Sequence, residues 1–136
     1  MTDTTTAETG AATGGVRTLL RLEGLVLFLG MTLLYYQWEG SWLVYVLLFL
    51  VPDLSFAAYL AGPRVGAIAY NAAHTYLAPV ALMTFGFAGS GPLVLSIAMI
   101  WLAHIGIDRA LGYGLKYSNG FGFTHLGRIG KDKLTG

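Results

Sequence analysis

At 136 residues, with 55% hydrophobic side chains, 11% charged ones and a mean hydropathy of +0.63, the chain is too apolar for an ordinary soluble domain and reads as one integral membrane domain. A formal net charge of +1 gives no basic field for nucleic acid and no acidic one for a cationic partner. The absence of cysteine excludes disulfides, thiolate metal sites and cysteine nucleophiles.

Residues 1–15, MTDTTTAETGAATGG, are polar and lack a basic n-region, so a disordered tail is expected in place of a cleaved signal peptide. Four apolar stretches follow, and helices are predicted at about 16–36, 41–60, 65–87 and 92–111, each long enough to cross about 30 Å of hydrocarbon at 1.5 Å per residue. The first ends in Tyr35, Tyr36 and Trp38, with Trp42 beyond a Glu39-Gly40 turn, which suits an interfacial aromatic belt. The second is broken in polarity by Asp53 after Pro52, where a kink is expected, and Gly62-Pro63-Arg64 ends it. The third carries Asn71 and His74, and the fourth, opened by Pro92, carries His104, Asp108 and Arg109. Residues 112–136 mix glycine, aromatic and basic side chains in a way that suits the headgroup layer of a membrane.

Every lysine and arginine falls on one side of this four-span arrangement, so the positive-inside rule places that side, and both termini, in the cytoplasm. Counted from the cytoplasmic ends, Asp53 and His74 lie roughly 15 Å deep, Asn71 and His104 about 10 Å, Glu23 about 9 Å and Asp108 about 5 Å. Polar groups from all four helices are therefore expected in the cytoplasmic half. Glycines 24, 30, 62, 66, 86 and 106 are expected at close-packing or turn positions.

A carboxylate or imidazole at membrane depth is expensive and marks a functional site by default. His104 and Asp108, four apart, share one helix face. With Asp53 and His74 they make two imidazoles and two carboxylates, a donor set for zinc, manganese or non-haem iron. In this reading the four residues are both metal ligands and acid-base groups, and Asn71 orients an imidazole from one turn away. Arg64, Arg109, Lys116 and His125 line the cytoplasmic rim and hold the head group of a lipid-like substrate. The residues leave other readings open. His74 and His104 would serve as axial ligands of a b-type haem, the same four groups would serve as a proton or ion relay, and the polar contacts would serve purely as interhelical glue in a structural membrane subunit.

The stretches VPDLSFAAYLAGPRVGAIAYNAAHTY at 51–76, WLAHIGIDRALGYGLKY at 101–117 and GFTHLGRIG at 122–130 resemble a family of small four-helix bacterial membrane proteins catalogued only as a domain of unknown function. The resemblance covers the hydrophobic body. It implies the four-span architecture and singles out Asp53, Asn71, His74, His104, Asp108, Arg109, Lys116 and His125, and it implies no activity. Pro52-Asp53 with His74 is also similar to the pattern of membrane-bound metal-dependent hydrolases. The expectation is an all-α, multi-pass inner-membrane four-helix bundle, alone, as a homo-oligomer or as a subunit of a membrane complex. Its partners are the lipid bilayer and an amphiphilic substrate, with no nucleic acid.

Overall fold

The computed structural model describes residues 11–116 and 123–128. They form a helical bundle with one small hairpin. Helix α1 spans Gly14–Gln37, α2 Trp42–Phe49, α3 Pro63–His74, α4 Leu77–Phe85 and α5 Pro92–Leu111. A 3-10 segment, Val51–Ala61, continues α2, and a π turn, Gly86–Ser90, follows α4. Strands β1 (Phe123–Thr124) and β2 (Gly127–Arg128) pair antiparallel in the stretch that follows α5. Helix α1 starts inside the predicted tail, at Gly14. The tail residues Tyr117, Phe121, Lys131 and Lys133, like residues 1–10, lie outside the described residues.

Two prolines set the departures from plain helix. Pro52 has no N–H to donate one turn back, so the α-helical ladder of α2 ends at Phe49 and the chain continues with the tighter 3-10 pattern. Pro79 acts on the third predicted span. Its ring would clash with the carbonyl of Thr75 in a continuous helix, and Thr75 is instead extended, at φ −91° and ψ 153°. The predicted helix 65–87 is therefore two helices, and among the described residues three stretches are long and apolar enough to cross a membrane: Gly14–Gln37, Trp42–Ala61 and Pro92–Leu111.

Helix α5 is the centre of the bundle. Leu95, Met99, Ile100 and Ala103 on it pack with Tyr35 of α1 and Tyr45 of α2, and Phe28, Met31, Leu48, Phe49 and Met83 close around them. Tyr35 is not part of an interfacial belt. It is buried, donates its hydroxyl to the Ser41 carbonyl at 2.7 Å, and meets Trp42 and Tyr45 edge-on or tilted, whereas Tyr36, Trp38 and Trp42 are exposed. Helices α1 and α5 cross at Gly24 and Gly106, where a Cβ on Gly106 would stand 2.7 Å from the Gly24 carbonyl oxygen and from the Phe28 nitrogen. Gly66 and Gly86 are also closely packed and Gly62 turns the chain at φ +118°, but Gly30 faces open space, contrary to its expected packing role.

The two described ends meet. The Ala12 N–H donates to the His125 carbonyl at 2.7 Å, and Arg21 on α1 donates to the Ala110 carbonyl at the end of α5. Ala12 and the His125 hairpin thus lie at the end of the bundle where α1 begins and α5 stops.

Candidate metal centre

The break at Thr75 leaves the last carbonyls of α3 without helical donors, and α5 supplies them. The indole N–H of Trp101 donates to the Ala73 carbonyl at 2.6 Å, and the Arg109 guanidinium donates to the His74 carbonyl at 3.1 Å. His74 itself reaches back to the Tyr70 carbonyl through Nδ1 at 2.8 Å, and its ring stacks on Tyr70 at 3.8 Å with the planes 8° apart. A carbonyl takes only a donor, so Nδ1 carries the proton and the Nε2 lone pair points away from α3.

That lone pair meets three other ligand atoms. Nε2 of His74 lies 3.1 Å from Nε2 of His104, 3.5 Å from Oδ1 of Asp53 and 3.4 Å from Oδ2 of Asp108. Nε2 of His104 lies 3.2 Å from Asp53 Oδ1 and 3.1 Å from Asp108 Oδ2. The four residues each offer an atom within 4.8 Å of all the others. Asp53 comes from the 3-10 segment, His74 from the end of α3, and His104 and Asp108 from one face of α5. Their burial is graded, with the imidazoles 2–3% exposed, Asp108 18% and Asp53 39%, so the cluster opens on the Asp53 side.

Four acceptors this close repel one another unless something positive stands between them. A proton on His104 Nε2 serves only one neighbour at a time. A tetrahedral ion with bonds of about 2.0–2.1 Å holds its donor atoms about 3.3 Å apart, and the five separations that involve an imidazole, 3.1–3.5 Å, match that spacing, while the two carboxylates lie within 4.8 Å of each other. The group can hold a metal ion. Two neutral imidazoles and two carboxylates then sum with a dication to zero charge, which removes most of the cost of burying them. A haem does not fit, because the two Nε2 atoms are in contact at 3.1 Å and leave no gap for a macrocycle.

Several residues take places other than those expected. Helix α1 brings nothing to the cluster, and Glu23 is exposed. Depth counted along each segment also fails as a guide. Asp108 lies three residues from the end of α5 and Asp53 eight from the end of the 3-10 segment, yet they share one point, so the hairpin of that segment and α3 is staggered or tilted relative to α5. Asn71 does not orient an imidazole. Its amide accepts from the Lys116 N–H at 2.6 Å and donates to the Lys116 carbonyl at 2.8 Å, pinning the chain that leaves α5. Arg64 is exposed at the start of α3, away from the cluster. Arg109 is buried, over the Tyr76 ring at 5.2 Å, where it joins α3 to the tail. Lys116 is buried too, with Nζ 4.8 Å from the Tyr70 ring centre, and burial pushes its ammonium down to about 8 despite the attraction of Asp108. Trp101 and Tyr70 have roles that the sequence did not assign; Pro79, which breaks the helix and so frees the Ala73 carbonyl that Trp101 binds, was the signal for the first, and the stacking of Tyr70 on His74 had none.

His125 caps this arrangement from the hairpin. The Leu115 N–H donates to its Nδ1 at 2.8 Å and the Arg109 guanidinium faces its Nε2 at 2.9 Å, while Ala12 and Leu115 hold its backbone. Both ring contacts are donors and a neutral ring accepts from one of them at a time, so a second proton is opposed from either side. Burial, then the Arg109 charge, push the imidazole down to about 4. The folded form therefore favours the neutral ring. The stability it lends the hairpin is present above the ordinary histidine pKa of about 6.5 and lost as the pH falls toward 4. An NMR titration of the His125 ring in detergent is expected to show its midpoint near the lower value. A midpoint at the ordinary value would mean that the ring is not held between Leu115 and Arg109.

Among the curated proteins none matches the chain, and no solved structure matches it, so the likeness to metal-dependent hydrolases finds no support there. One family does match, over residues 17–129, a range that contains all four candidate ligands together with Tyr70, Trp101 and Arg109. The chain belongs to the family described as Domain of unknown function (DUF4260).

Proposed function

We propose that the chain is a multi-pass inner-membrane protein that holds one divalent ion of zinc, manganese or iron on Asp53, His74, His104 and Asp108. The ion serves a hydrolase-like reaction on an amphiphilic substrate. The observation that carries the reading is the convergence of four lone-pair donors at tetrahedral spacing inside an apolar bundle. Such an ion polarises a carbonyl or phosphoryl oxygen and makes water a nucleophile at neutral pH. Four bonded side chains would close a tetrahedral site, so water would reach the ion only where Asp53, the most exposed of the four, leaves it, and the freed carboxylate is then placed to take that water's proton. Arg109 and Tyr70 fix the position of His74, and Lys116 and His125 close the end of the bundle above them.

The membrane assignment rests on the three long apolar helices and on rows of exposed leucine and valine, such as Leu22, Val26, Leu29 and Leu33 on α1. In this reading the chain crosses four times, with the third crossing broken at Thr75, and the grouping of its basic residues on one side supports a cytoplasmic location for both termini. The test is elemental analysis of the detergent-solubilised protein, with a visible spectrum of the same sample. About one equivalent of colourless zinc or manganese, or of iron without a Soret band, is the expected result. Neither metal nor colour would leave the four groups as a proton relay, which the 3.1 Å contact between the two imidazoles also suits.

A further inference from the structure

A cavity of about 270 Å³ lies between Leu48 of α2, the 3-10 segment, α3 and α5, and none of the four candidate ligands is in its lining. Three of its lining residues adjoin the ligands in the chain: Pro52 precedes Asp53, Ala73 precedes His74, and Trp101 stands one turn before His104. The polar groups in its wall are already used. The Ser55 hydroxyl donates to the Pro52 carbonyl at 2.7 Å and the Trp101 indole donates to the Ala73 carbonyl at 2.6 Å. The wall therefore offers no free side-chain donor, and the remainder of the lining used here, Val51 and Ile97, is apolar. Water gains little in such a space, and an apolar chain gains from burial. Val51 is half exposed, so the cavity opens on the outer, apolar surface of the bundle.

Charge at the inner end selects the head group. The metal-loaded cluster is neutral in sum, and buried Arg109, next to Asp108 in the chain, together with buried Lys116 over the Tyr70 ring, leaves its surroundings positive. An anionic oxygen offsets that charge and, where it takes the position of Asp53, offers the ion a hard ligand. We propose that this cavity takes the alkyl chain of a single-chain amphiphile whose anionic oxygen head group lies on the metal centre. This inference rests on the metal reading and names the class of molecule that the site accepts.

The experiment uses Trp101 as the reporter. In a Trp38→Phe/Trp42→Phe variant it is the single tryptophan, and a fatty acid brominated in its chain quenches it on contact. With the metal-loaded protein in detergent, quenching is expected to saturate, to be competed by unlabelled stearate at least tenfold better than by stearyl alcohol, and to lose saturation after chelation. Ile97→Phe, which narrows the cavity, is expected to weaken binding at least tenfold at unchanged metal content. Should that variant fail to fold, the competition and chelation results on the parent still decide. Metal present with quenching that never saturates, or that ignores the metal, overturns the cavity assignment alone. A protein that binds no metal under elemental analysis overturns the site itself.

Discussion

Replacing His104 with alanine is expected to abolish stoichiometric metal binding and any activity that depends on it. His104 Nε2 stands 3.1–3.2 Å from all three other donors, so its loss removes a quarter of the ligand set and the atom nearest its centre. Outer partners of metal ligands typically cost about 10–100-fold in affinity when removed, and a direct ligand is expected to cost more. Without an ion the parent cluster is held by imidazole protons shared with the carboxylates, and His104→Ala removes one such ring and opens a void beside Phe49, whose ring meets His104 edge-on at 5.0 Å, so the metal-free variant is expected to be less stable than the parent. Metal added to the parent should raise its thermal midpoint in proportion to the logarithm of concentration, as mass action requires, and leave that of the variant unchanged. Equal metal content in parent and variant would refute the ligand role of His104, and equal thermal response in both would place the ion elsewhere.

Gly106→Ala is the second large effect. The new methyl group would meet backbone atoms on α1, at 2.7 Å from the Gly24 oxygen and the Phe28 nitrogen, and neither can swing aside as a side chain would. Overpacking of this kind costs typically about 1–3 kcal/mol, and more when backbones must separate. Gly30→Ala is the matching control, since nothing lies within 4 Å of its added carbon and alanine is favoured over glycine in a helix by up to about 1 kcal/mol. Thermal unfolding in detergent is expected to show the first variant destabilised and the second unchanged or improved. Equal stability of the two would mean that α1 and α5 do not cross at these glycines. Because Arg109 also packs against Gly24, the Gly106 variant is expected to loosen His125 and the hairpin as well.

The four candidate ligands were legible in the sequence because each is a costly residue in an apolar stretch, and their chemistry was legible from their types. Their meeting was not, since depth counted at a single rise per residue ignores the 3-10 segment after Pro52 and the break before Pro79. Asn71 and Arg109 show the other limit. Both have the chemistry of site residues, but what they bind is main chain on a distant segment, the Lys116 backbone and the His74 carbonyl, and pairing across 45 and 35 positions leaves no local pattern. Tyr35 had the composition of a belt residue and became core because the turn at Ser41 presents a carbonyl to its hydroxyl.

The break at Thr75 also bears on how such a chain is made. Released carbonyls in hydrocarbon cost several kcal/mol each, and those of Ala73 and His74 find their donors only on Trp101 and Arg109, which the ribosome adds 28 and 35 residues later. In the proposed four-crossing arrangement the third crossing would therefore be unstable in lipid until the fourth stood beside it. The short turn at Gly86–Ser90 joins the two, and they are best inserted together as a helical pair, with the metal ligands assembled only once the last helix has entered.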